Sequence, residues 1–389
     1  MILKKNFLIK LFCALSIFFT YNANAQKATT VIPYELYSGK MIIKMMINGK
    51  PERFIFDTGA GKSSLSAEYC KKQNLKITDS VKISDVTSNT AYYKQVKIDS
   101  LVTLDKKIKF DGLTAIIMPE PSPIRCFDAV GLLGSDMLAQ TISIIDSKSK
   151  TITIIAGENP LKESFRYAHD FKHPSVLPIF NTYINGQELQ VLFDSGSGSF
   201  MNLKQSDFER LKANGNAKLL KEGSGAKSFG ISGKLDKSIN YQVYIPELRV
   251  GPMKVANIVT ETSNPPHTLL GVAFMQHAKM IIDYPNRRLY CVPYEQGVIN
   301  PKFRQTNFSI TVAKGQLTVA HIWKDLEGQI ADGDVITHIN GVKTGVYNFC
   351  DVAAGVKELK EPGPKMMTIQ TKDNRTVNLA YKVEEIKAP

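Results

Sequence analysis

Arg53-Phe54-Ile55-Phe56-Asp57-Thr58-Gly59 is an apolar run delivered into a tight acidic turn, and Gln190-Val191-Leu192-Phe193-Asp194-Ser195-Gly196 repeats it. Each copy follows Ile-Asn-Gly, at Ile47-Asn48-Gly49 and at Ile184-Asn185-Gly186. Two further pairs keep the register: Leu132-Leu133-Gly134 with Leu269-Leu270-Gly271, and Ile144-Ile145-Asp146 with Ile281-Ile282-Asp283. Every pair has the offset of Asp57 and Asp194, 137 residues. One Asp-Thr-Gly is common in turns. Four anchors in register describe a duplicated domain, far longer than a solenoid repeat of about 20–50 residues.

The duplication matters chemically because a carboxylate dyad takes one Asp from each half of a two-fold arrangement. Two carboxyls a hydrogen bond apart cannot both ionise cheaply, so one keeps its proton. The charged member can take a proton from water while the protonated one polarises a carbonyl. Gly59 and Gly196 suit a turn that brings the side chains together without Cβ clashes. Position 60 is Ala where position 197 is Ser. A Ser197 hydroxyl on one carboxylate would favour its charged form, which leads us to expect a mildly acidic to neutral optimum.

Together these motifs resemble the aspartic proteases, in the fused form with two retropepsin-like lobes in one chain. The layout is similar to bacterial exported aspartyl proteases with a C-terminal PDZ domain, over roughly residues 30 to 386. The resemblance implies a mainly β fold: two tandem acid-protease β-barrel lobes forming a pseudo-two-fold dimer, followed by a PDZ domain. It implies catalysis by Asp57 and Asp194, with Thr58, Gly59, Ser195 and Gly196 bracing the turns and the Leu-Leu-Gly elements behind them. It implies a peptide or protein substrate and neither metal nor cofactor. The domains are then a signal peptide over 1–25, lobes over 26–160 and 161–298, and a PDZ domain over 299–389.

The PDZ assignment rests on Gly333-Asp334-Val335-Ile336-Thr337-His338-Ile339-Asn340-Gly341, which resembles G-D-x-I-x-x-I-N-G. Val352 to Leu359 is then the groove helix, with closing strands at Met366 to Gln370 and Thr376 to Tyr381. PDZ domains add a peptide as an extra strand and capture its terminal carboxylate on backbone amides. Phe308, Ser309 and Ile310 occupy the peptide-binding position, with a C-terminal peptide as the candidate ligand. Asn307 replaces the glycine expected in that loop, and the segment before the Gly-Asp run is shortened to Glu327–Ala331.

Elsewhere the chain reads as strands joined by turns. Ser66 to Lys72 reads as a short helix, and Glu158 to Pro174 as the connection between lobes. Gly223 to Gly233, rich in Gly and Ser, reads either as a hairpin flap over the cleft or as an ordinary loop. Asp85 to Tyr93 is its counterpart, with Tyr92 or Tyr93 facing the cleft.

The first 25 residues read as a secretory signal, with Lys4, Lys5 and Lys10 before the apolar Leu11 to Phe19 and Ala23-Asn24-Ala25 at the cleavage site. We therefore expect export to the periplasm or the exterior, as a monomer without a transmembrane span. Loss of the signal lowers the net charge from +13 to +10. The basic residues are scattered and no aromatic-interleaved basic motif accompanies them, which argues against nucleic acid. Apolar content of 43% supports packed cores. The mature cysteines are Cys70, Cys126, Cys291 and Cys350, with no C-x-x-C pair. Two readings stay open: a Cys70–Cys126 disulfide, or four buried thiols.

Other chemistries fit poorly. Gly59-Ala60-Gly61-Lys62-Ser63 lacks the first glycine of a phosphate loop, since position 56 is Phe. Gly196-Ser197-Gly198 lacks the spacing of a serine nucleophile elbow, and the six histidines form no H-E-x-x-H pair. The competing class is a catalytically silent, protease-shaped peptide-binding adaptor or chaperone.

Overall fold

The computed structural model describes residues 28–84, 90–157, 168–229 and 235–389. The expected signal segment, most of the connection between lobes, and the tips at 85–89 and 230–234 lie outside the described residues. Strands dominate, as the alternating apolar pattern requires.

Each half opens with the same hairpin. Lys40–Ile47 pairs with Lys50–Phe56, and Ile179–Ile184 pairs with Gln187–Phe193. The turns need two consecutive residues at positive φ, which Asn-Gly supplies. Asn48 and Gly49 sit at φ 48° and 80°, Asn185 and Gly186 at 46° and 80°. The second strand of each hairpin carries the Asp at its end. Behind it lies the Leu-Leu-Gly strand in parallel register, Leu133 beside Phe56 and Leu270 beside Phe193.

The halves are joined by a six-stranded sheet to which both contribute. At its centre Thr141–Asp146 pairs antiparallel with Ala278–Asp283, and Ile144 faces Ile281. These two are repeat counterparts, so a pseudo-two-fold axis passes between them. A single apolar core runs from Ile32 to Cys291 through both halves.

The C-terminal unit has its own core of Phe308, Leu317, Val319, Ile336, Met367 and Ile369, among others. Its Gly-Asp run is used structurally: the buried Asp334 accepts from Ala331 N at 2.7 Å and Lys372 N at 3.1 Å. Asn340 and Gly341, at φ 50° and 78°, make the tight turn. The helix expected over 352–359 is shorter than the sequence pattern suggests and starts earlier. It covers Phe349–Ala353 behind an Asn348 capping box, stops before Gly355 at φ 82°, and resumes as the 3-10 turn Lys357–Leu359. The closing strands are Lys365–Gln370 and Thr376–Tyr381.

Two links fasten this unit to the halves. The Gly/Ser-rich stretch of the second half is a long hairpin, Lys218–Phe229 with Leu235–Val250. Its first strand pairs with Gln316–Trp323 of the C-terminal unit, Ser224 opposite Ile322, which makes one continuous sheet. Gly225 sits at φ 121°, and a Cβ there would lie 2.2 Å from Ala320 O. The second link is a disulfide between Cys126 and Cys350. It overturns both cysteine readings. Cys70 points into the main core, whereas Cys126 joins a separate apolar cluster with Ile55, Phe127 and the helix residues Phe349 and Ala353. Cys70 and Cys291 are buried free thiols. No helix among the described residues is long and apolar enough to cross a membrane.

Candidate active site

The two Asp turns meet on the pseudo-two-fold axis. Asp57 N donates to Leu133 O at 3.0 Å and Asp194 N to Leu270 O at 2.9 Å, which ties each turn to its Leu-Leu-Gly strand. Each carboxyl is then held by the amides that follow it. Asp57 Oδ1 accepts from Gly59 N at 2.9 Å and Ala60 N at 3.1 Å. Asp194 Oδ1 accepts from Gly196 N at 2.8 Å and Ser197 N at 3.1 Å.

The turns interlock through their middle residues. Thr58 N donates to Ser195 Oγ at 2.9 Å, and Ser195 N donates to Thr58 Oγ1 at 3.0 Å. Thr58 Oγ1 donates onward to Phe193 O and Ser195 Oγ to Phe56 O. The glycines interlock too. A Cβ on Gly59 would lie 2.4 Å from Asp194 Cγ, and one on Gly196 would lie 2.3 Å from Asp57 Cγ. Each carboxyl therefore packs on the bare glycine of the opposite turn. The carboxyls hydrogen-bond to each other.

Residues 43–140 match the gag-polyprotein putative aspartyl protease family. The matched segment is similar to that aspartyl-protease family, and it contains Asp57 and Leu132-Leu133-Gly134. No curated protein matches the chain.

Electrostatics set the two aspartates apart from ordinary surface carboxyls. Burial pushes Asp57 up, opposed by the Lys40 ammonium and by its hydrogen bonds. Burial also pushes Asp194 up, reinforced by the neighbouring Asp57 charge and opposed by Lys40. The pair consequently holds one proton well above the usual carboxylate range and titrates as a unit. Such a pair offers an acid and a base at adjacent atoms.

Three residues of the site carry no signature in the sequence. Lys40, directly after the Ser38-Gly39 turn, donates from Nζ to Gly196 O. Ser135 follows Leu-Leu-Gly, and its hydroxyl donates to Thr58 O at 2.7 Å. Tyr284 OH lies 2.9 Å from Ser135 Oγ, and burial raises its pKa.

The Ser197 hydroxyl does not touch the carboxylate. It pairs with Ser199 Oγ at 2.8 Å, and the backbone N–H of Ser197 makes the contact to Asp194 instead. The expected asymmetry from Ala60 and Ser197 thus has no basis in side-chain bonding. Tyr93 packs against the cluster of Ile55, Cys126 and Phe127. Tyr92 is 75% exposed. Phe308 is buried against Tyr381, at 5.1 Å between ring centroids, while Ser309 and Ile310 are half-buried beside it. Among the described residues no group of three His, Cys, Asp or Glu is arranged to hold a metal ion.

Proposed function

We propose that the chain is an aspartic endopeptidase in which Asp57 and Asp194 together activate a water for attack on a peptide carbonyl. The observation that carries this reading is the reciprocal packing of each carboxyl on the other turn's glycine. That arrangement serves no packing purpose that two apolar residues would not serve better, since burying carboxyls is costly. The charged member of the pair takes the water proton. The protonated member donates to the carbonyl oxygen, and the roles exchange as the tetrahedral intermediate collapses. Thr58 and Ser195 fix the turns without touching the substrate.

In this reading the first residues direct export and the mature chain works as a monomer, since both halves of the dyad lie in one chain. The C-terminal unit is a PDZ domain that binds an extended peptide. Its strand Phe308–Ala313 pairs with Gln316–Trp323 on one side, and the backbone of Phe308, Ser309 and Ile310 offers the other edge. Support comes from that edge, which pairs with no other strand among the described residues, and from the helix Phe349–Ala353 next to it.

The test is cleavage of a diverse peptide library by the mature protein from about pH 3 to about pH 8, beside Asp57→Asn and Asp194→Asn. Cleavage lost in both variants supports the dyad. Activity surviving in either one rules it out. Binding without cleavage in all three would favour the adaptor reading.

A further inference from the structure

The two Asp turns are near copies about the pseudo-two-fold axis, yet their surroundings are not alike. The peptide unit between Gly196 and Ser197 has both of its polar groups engaged. Its N–H donates to Asp194 Oδ1 at 3.1 Å, and its C=O accepts from Lys40 Nζ. The corresponding peptide between Gly59 and Ala60 donates to Asp57 Oδ1 at 3.1 Å. The repeat counterpart of Lys40 is Leu177, whose side chain has no donor. Leu177 approaches the first turn in a related way, 3.8 Å from where a Gly61 Cβ would be.

The hairpin that presents Lys40 is built for that approach. Ser38 and Gly39 take positive φ, 48° and 76°, so the strand reverses within two residues. A Cβ on Gly39 would lie 3.3 Å from Gly198 Cα, and Gly198 in turn has no side chain to hold the hairpin off. The ammonium is thereby brought from the first half onto the turn of the second.

Resting on the dyad reading, we propose that Lys40 is a positioning residue that polarises the Gly196–Ser197 peptide and sets the pH range over which the pair is singly charged. A cation on a carbonyl strengthens donation by the N–H of the same peptide unit, because linked hydrogen bonds polarise one another. The ammonium also acts directly on both carboxyls. The other titratable groups facing the site are the Tyr284 hydroxyl, reached through Ser135, and Asp136 with Lys62 beside it. Loss of the cation disfavours the charged form, so both ionisations of the pair move to higher pH.

The test compares wild type, Lys40→Met and Lys40→Arg by 13C-aspartate carboxyl NMR titration, with the dyad signals assigned through Asp57→Asn and Asp194→Asn. Lys40→Met is expected to raise the titration by about one unit or more, the usual effect of one nearby opposite charge. Lys40→Arg is expected to restore the wild-type titration. Should Lys40→Met fail to fold, Leu177→Lys supplies the opposite change, a fall of similar size. An unchanged titration in the folded variant overturns the proposal. The pH profile of kcat/KM is measured alongside, and both its limbs are expected to move up in Lys40→Met. Absence of any cleavage by wild type would sink the protease reading alone, because the NMR titration does not depend on turnover.

Discussion

Thr58 and Ser195, repeat counterparts of one another, exchange backbone-to-hydroxyl hydrogen bonds of 2.9 and 3.0 Å across the pseudo-two-fold axis. Both residues are fully buried. Thr58→Val keeps the shape but removes the hydroxyl, leaving Ser195 N–H and Phe193 C=O without their partner. Each buried group so orphaned costs about 1–3 kcal/mol. A loss of about 2–6 kcal/mol is expected by urea unfolding. Thr58→Ser keeps both bonds and is expected to cost about 1 kcal/mol for its missing methyl. Adding Ser195→Ala to Thr58→Val should cost less than the sum, because the two share bonds. Equal losses for Thr58→Val and Thr58→Ser would show that the grip is not held by hydroxyls.

Gly59 and Gly196 are required by each other's aspartate. A methyl at Gly59 would overlap Asp194 Oδ1 at 2.4 Å, and one at Gly196 would overlap Asp57 Oδ2 at 2.3 Å. Either alanine pushes the opposite carboxyl out of line. A displacement near 1 Å costs about a hundredfold in rate, and kcat/KM is expected to fall by about that factor or more. Gly49→Ala is the contrast. It meets no atom within 4 Å, yet it sits at φ 80°, so it should lower stability by about 1 kcal/mol and leave the rate alone.

Much of this site is legible in the sequence, because the repeat encodes the symmetry. Once Ile144 and Ile281 are counterparts, their pairing across the axis follows, and so does the meeting of Asp57 with Asp194. The Asn-Gly turns are equally legible, since few residues tolerate two positive φ angles in succession. What breaks the symmetry is not legible. Lys40 has the same composition signal as any surface lysine, and only the approach of Gly39 to Gly198 gives it a role. The Cys126–Cys350 bond closes over 224 residues, a distance at which sequence spacing carries no information about pairing. The helix expected over 352–359 fails locally, because Gly355 takes a left-handed conformation that ends it.

That disulfide holds the C-terminal unit to the first half at the 3-10 turn Pro123–Phe127. The cluster containing Ile55 and Cys126 takes in Phe349, Cys350 and Ala353. Cys350→Ser is expected to lower stability by about 2–4 kcal/mol, with hydrogen exchange rising in Pro123–Phe127 and Phe349–Ala353 and little changed in the main core. Reductant should reproduce the loss in wild type and do nothing to Cys350→Ser. A melting temperature indifferent to reductant in wild type would contradict this.

The dyad also makes stability depend on pH in a stated direction. Burial raises Asp57 and Asp194 in the folded protein, whereas an unfolded aspartate ionises near pH 4. Between that value and the raised one, the folded chain binds more protons than the unfolded chain. Unfolding free energy therefore falls as pH rises through this window. The stabilising contribution is complete below about pH 4 and lost once the folded pair has given up its proton. Asp194→Asn removes the second carboxyl and with it the shared proton. Urea unfolding from about pH 4 to about pH 8 should show a downward slope in wild type, beyond that of Asp194→Asn. The variant is expected to gain on wild type steadily toward higher pH, since it keeps no second charge to bury beside Asp57. Parallel curves for the two proteins would mean that folding does not raise the Asp194 carboxyl above its unfolded value.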